Sequence, residues 1–127
     1  MRLAYVDSSC LVAIALDEAG AGRVEARLRR SDRLFASNLL EAELCAALVR
    51  EGVDDRGEGL LSGITWIYPN RPLTPEFDRI LAVGYVKGAD LWHLAHALFL
   101  APAGKGLAFL TLDRRQRVVA AELGFAV

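Results

Sequence analysis

LAYVDSSCLVAIAL, residues 3–16, is the stretch on which the fold turns. Four residues of strand character end on Asp7, and apolar residues resume three positions later. Leu3 to Val6 predict a short buried strand, and Ser8 and Ser9 offer an N-cap to a helix ending near Leu16. A carboxylate at the mouth of a buried strand is costly to desolvate without a partner. Asp7 is therefore either a helix cap alone or one member of a compensated group. The same outline returns at LAFLTLD, residues 107–113, where a strand leads to Asp113 and a helix over RRQRVVAAEL.

Between these two stretches, strands and helices alternate. After the break DEAGAG, residues 17–22, an amphipathic helix turns Val24 and Leu28 inward and Arg23, Glu25, Arg27, Arg29 and Arg30 outward. Leu34 to Ala36 predict a brief strand, and Ser37 or Asn38 caps a helix running to about Glu51. VDDRGEGLLSG, residues 53–63, stays ambiguous because its glycines weaken a helix. ITWIY predicts a strand and PNRPLTP a loop, with Thr74 as N-cap and Pro75 at the first helical position of the next helix. Ala89 to Leu100 predict a helix, APAGKG a turn, and FAV at the end a last short strand.

This alternation predicts an α/β fold: a mostly parallel central sheet covered by helices on both faces, forming a single domain over residues 1–127. Sites in such folds gather beyond the carboxyl ends of the strands. Asp7 and Asp113 would then open onto the same sheet edge. The chain is 54% hydrophobic, enough for a compact core, and its 15 basic and 16 acidic residues leave a net charge of −1. No global charge draws it to nucleic acid, so any such site is local. Cys10 and Cys45 lack a metal-binding spacing and read as free thiols. No apolar run has membrane-spanning length and no signal-peptide pattern opens the chain, which predicts a cytoplasmic setting without membrane contact.

Each acid also has a plain explanation. Asp7, Asp90 in KGADLWHLA and Asp113 in TLDRRQ could all be helix caps. Glu41 and Glu43 flank the apolar stripe of Leu40, Leu44, Ala47 and Leu48 at similar angles, and periodicity does not choose between them. Taken together they are more informative. Like charges about 4 Å apart cost on the order of 4 kcal/mol per pair at an effective dielectric near 20. A converging set would need a cation, and oxygen ligands suit a hard divalent ion, Mg²⁺ or Mn²⁺. Such ions serve phosphodiester hydrolysis. His93 and His96 follow Asp90 as DxxHxxH; without matching cysteines, packed or hydrogen-bonded histidines are favoured over zinc ligands. Arg114, Arg115 and Arg117 crowd a helix start that ordinarily prefers acids, which reads either as a solvated face or as phosphate contact beside Asp113.

These strings, in this order, resemble the PIN-domain ribonucleases, and among them the VapC toxins of toxin–antitoxin pairs. YVDSSCLVAI with LDEAGAGRV is similar to the family's first strand and helix. SNLLEAEL matches its serine, five residues, then glutamate–leucine, which selects Glu43. GADLWHLAHAL and LAFLTLDRRQRVVAAELGF resemble the third and fourth acidic motifs, placing Asp90 and Asp113. The resemblance implies a three-layer α/β/α domain and a Mg²⁺- or Mn²⁺-dependent endoribonuclease that leaves a 5′-phosphate. It implies Asp7 and Asp90 as metal ligands, with Glu43 and Asp113 ligating directly or through water. Ser8, Ser9 and Thr111 would hold these carboxylates or their waters. It further implies a homodimer and a VapB-type antitoxin partner. Two other readings stand beside it: a receiver-like phospho-acceptor module, and a PIN fold that binds without cutting.

Overall fold

The structure is a computed structural model describing all 127 residues. Four strands form one parallel sheet: β1 (Leu3–Val6), β2 (Arg33–Ser37), β3 (Ile64–Ile67) and β4 (Leu107–Leu110), in the order β3-β2-β1-β4. The predicted parallel sheet is thus observed, each strand within about two residues of its sequence reading. Seven helices connect and cover it: α1 (Ser8–Ala15), α2 (Ala21–Arg30), α3 (Leu39–Arg50), α4 (Glu58–Leu61), α5 (Thr74–Val83), α6 (Gly88–Leu100) and α7 (Arg114–Glu122). No helix is long and apolar enough to cross a membrane.

The period of two along β1 explains the layers. Tyr5 faces one core with Phe109, Ile80 of α5, Leu94 and Leu98 of α6, and Val119 and Ala120 of α7. Ala4 and Val6 face the other, with Cys10 and Leu11 of α1, Val24 of α2, and Leu40, Leu44 and Leu48 of α3. Both faces of the sheet are therefore buried, as a parallel sheet requires. The chain moves outward from β1 through β2 to β3, then crosses back to lay β4 on the other side of β1. That reversal opens a crevice between the carboxyl ends of β1 and β4, where ligands bind in folds of this kind.

Several local readings change. Of the two cap readings for α1, Asp7 holds and Ser8 or Ser9 does not: the Asp7 Oδ2 accepts from the Ser9 backbone N–H at 3.1 Å. Leu73, not Thr74, is the cap of α5, which moves that helix start by one residue. The ambiguous glycine-rich segment holds the one-turn helix α4. FAV forms no strand; a single bridge, Ala126 to Ala108, joins the tail to β4. Gly104 and Gly124 make that approach possible. Both have left-handed φ, and a Cβ on Gly104 would stand 2.6 Å from the Gly124 carbonyl carbon.

Candidate active site

Register brings Val6 level with Leu110, and the Asp7 N–H donates to the Leu110 carbonyl at 2.9 Å. Asp7 therefore leaves β1 directly beside Thr111 and Asp113 leaving β4. Asp7 is 4% exposed, and its compensation comes from donors. Besides the Ser9 N–H, its Oδ1 accepts from Gln116 Nε2 at 3.3 Å. Gln116 is itself aimed by Thr111, whose hydroxyl donates to Gln116 Oε1 at 2.6 Å and accepts from the Asp113 N–H at 3.0 Å. A relay from the Asp113 backbone through Thr111 and Gln116 thus sets the first aspartate. Ser9 Oγ ties in alongside, accepting from the Leu112 N–H at 3.1 Å.

Asp113 is the N-cap of α7, its Oδ1 accepting from the Gln116 N–H at 2.7 Å. Asp90 is different. It lies in the first turn of α6 and caps nothing. Its carboxylate has no hydrogen-bond donor, and its pKa is raised by burial first, then by the charges of Asp7 and Asp113. Three aspartates from β1, α6 and the β4–α7 turn thus act on one another electrostatically. The shared sheet edge expected from the sequence is observed.

Glu43 reaches the same edge from α3. His93 Nε2 donates to its Oε1 at 2.6 Å and stands 3.8 Å from Asp7 Oδ1. The ring is oriented from behind. Ser37 N–H donates to the Tyr5 hydroxyl at 3.1 Å, and that hydroxyl meets His93 Nδ1 at 2.7 Å. Burial, with the charges of Asp7 and Glu43, holds the Tyr5 pKa well up, so its hydroxyl keeps a hydrogen to give Nδ1. The His93 proton then sits on Nε2, facing Glu43. Burial alone would raise the Glu43 pKa; the hydrogen bonds from His93 and Ser8 bring it below its usual value. Glu41 stays exposed, taken up by Asn38 Nδ2 at 3.0 Å.

Ser8, Ser9 and Thr111 all adjoin the acids. Of the arginines, Arg115 Nε donates to the Tyr85 carbonyl at 2.8 Å and Arg117 Nη2 to the Thr111 carbonyl at 2.9 Å, while Arg114 has no protein partner. Two of the three therefore fasten α7 to its neighbours. His93 and His96 are buried and hydrogen-bonded, and both cysteines are free thiols. Sequence reasoning missed Gln116 and Tyr5. The spacing DRRQ, residues 113–116, is that of a capping box, a signal that marks Gln116. Tyr5 carries no such signal, since half of a buried strand looks like core.

No three His, Cys, Asp or Glu side chains stand close enough to form a ready-made metal cage. The hydrogen bonds explain the spread. Asp7 and Asp113 each commit one oxygen to a helix start, and Glu43 commits one to His93. The donor chemistry nevertheless fits a hard divalent ion, because Asp90 is a donor-free carboxylate in the field of two others.

The PIN domain family profile matches residues 4–122. The chain belongs to the PIN-domain family. PIN domains are generally metal-dependent nucleases acting on nucleic acid. No curated protein matches the sequence.

Proposed function

We propose that this PIN domain, as one unit over residues 1–127, is a Mg²⁺- or Mn²⁺-dependent endoribonuclease of the VapC type, working in the cytoplasm. The observation that carries the reading is the Asp90 carboxyl. It is half-buried, has no donor, and is opposed by Asp7 and Asp113, so its ionisation calls for a cation. Asp7 and Asp90 would hold that ion, with Glu43 and Asp113 contributing directly or through water. A bound divalent ion would neutralise phosphate charge and activate water for in-line attack on phosphorus.

The chain's own groups have distinct tasks. Gln116 and Thr111 keep Asp7 pointed at the crevice. His93 fixes one Glu43 oxygen, leaving the other to orient an attacking water. Ser8 and Ser9 brace Glu43 and Asp7. Arg114, free of protein partners, would contact phosphate, while Arg115 and Arg117 fasten α7 to its neighbours. The exposed apolar side chains Leu81, Val83 and Tyr85 offer a surface for a homodimer, and a VapB-type antitoxin would restrain the enzyme by covering the crevice. No observation favours a phospho-acceptor module or a non-cleaving scaffold.

Single-stranded RNA with a fluorophore and a quencher at its ends tests the proposal. Wild-type protein should cut it internally with Mg²⁺ or Mn²⁺, leaving 5′-phosphates, and chelator or Asp7→Asn should each abolish cutting. Cutting indifferent to both would refute it.

A further inference from the structure

Beside the acids a groove of about 870 Å³ opens at the same sheet edge. Ser37 and Ile67, at the carboxyl ends of β2 and β3, line it, as do Ala42 and Ala89. Ala42 precedes Glu43 and Ala89 precedes Asp90, so groove and acids share α3 and the start of α6. Its lining is mainly apolar. Trp92 forms one wall, 42% exposed, with its indole Nε1 donating to Ser37 Oγ at 2.7 Å. That bond fixes the ring, His96 packs against it with ring centroids 4.6 Å apart, and the indole lines the groove with the part left exposed.

His96 also lines the groove and is 2% exposed. Its Nδ1 donates to the Trp92 carbonyl at 2.8 Å, so Nε2 is left as an acceptor. Burial lowers the His96 pKa, which keeps the ring neutral. Nε2 has no protein partner, yet no side-chain nitrogen or oxygen sealed from solvent lacks one. His96 lines the groove, which is the side from which an occupant would meet it. An occupant that dries this site without supplying a donor would leave a buried acceptor unpaired. The occupant thus needs a flat apolar body for Trp92 and an N–H edge for Nε2, which is the chemistry of a nucleobase.

A cationic side chain stands at the same end. Lys87, the residue before α6, already acts electrostatically on Glu43 and Asp90. The first N–H groups of α6 have no side-chain cap, and Gly88 and Ala89 there line the groove. We infer that this groove is a nucleobase subsite for the RNA nucleotide flanking the cut phosphate, with its base on Trp92, an N–H to His96 Nε2 and its phosphate at Lys87. The inference rests on the nuclease reading and deepens it. An apolar side chain of a protein partner would fill the same space but leave Nε2 unpaired, so the nucleotide is the better fit.

Binding in chelator separates the subsite from cleavage. Fluorescein-labelled single-stranded RNA is titrated with wild-type protein, alongside the same RNA with its central bases removed. Wild type should prefer the base-containing RNA by roughly five- to 150-fold, the range that one stacked base supplies. Trp92→Ala and His96→Phe should erase most of that preference while leaving abasic binding unchanged. Trp92→Phe should retain it, and Lys87→Gln should weaken both RNAs alike. Equal wild-type affinity for the two RNAs overturns the subsite, whether or not any variant folds. If metal-dependent cutting still responds to Asp7→Asn, that result leaves the nuclease reading standing. Binding of an amphipathic peptide that Trp92→Ala abolishes and RNA does not displace would also overturn it, assigning the groove to a protein partner.

Discussion

Tyr5→Phe removes one oxygen from the middle of the site and nothing from the core. The Tyr5 ring stacks on Phe109 with centroids 5.2 Å apart, and phenylalanine keeps that packing, so no cavity forms. What is lost is a hydroxyl that accepts from the Ser37 N–H and meets His93 Nδ1. Both partners are buried, and neither atom has another hydrogen-bond partner. A buried group left unsatisfied costs about 1–3 kcal/mol, so two cost about 2–6 kcal/mol. Even the lower figure should move the thermal midpoint down by about 6–10 °C for a chain of this size. Urea unfolding monitored by circular dichroism measures the loss as a fall in midpoint at constant slope. Tyr85→Phe is the control, since Tyr85 is 70% exposed and its hydroxyl has no hydrogen-bond partner in the protein. A loss under about 0.5 kcal/mol for Tyr5→Phe, equal to that control, would refute the claim that this hydroxyl holds His93 and Ser37.

Asp90→Asn should stabilise the metal-free protein at neutral pH. An acid whose folded pKa is raised costs stability above that pKa and costs nothing below its ordinary value of 3.8. The gain in thermal midpoint should therefore be present at neutral pH and vanish on acidification past that ordinary value. Glu43→Gln should behave oppositely: Glu43 titrates below its usual 4.5, so its contribution is present at neutral pH and lost as pH falls through the lowered value. Gly104→Ala should destabilise by more than about 2 kcal/mol, from left-handed φ plus a collision with the Gly124 backbone. Gly22→Ala, inside α2 with open space around it, should instead stabilise by about 0.4–1 kcal/mol in the same unfolding assay.

The parallel sheet was legible because strand-like runs and helical runs alternate, and because Asp7 and Asp113 end equivalent strands. Glu43 was not separable from Glu41 by periodicity, since both flank one stripe; only the resemblance in spacing chose it, and the tertiary partner His93 explains why it turns inward. Ser8 and Thr74 were read as caps one residue late because Asp7 and Leu73 take positions that they could equally fill. FAV has strand composition, but a three-residue tail after a glycine turn has length for one bridge only. The wiring behind the acids was invisible in one dimension. Tyr5, His93 and Ser37 are separated by tens of residues and meet only when β1, β2 and α6 pack.

The central claim is that Asp7 and Asp90 belong to one cation-holding site, and Mn²⁺ titration followed by calorimetry at neutral pH tests it without RNA. Wild-type protein should bind Mn²⁺ saturably, Asp7→Asn and Asp90→Asn should each weaken that binding at least tenfold, and Glu41→Gln should leave it unchanged. Binding that survives both aspartate substitutions at wild-type strength would contradict the account.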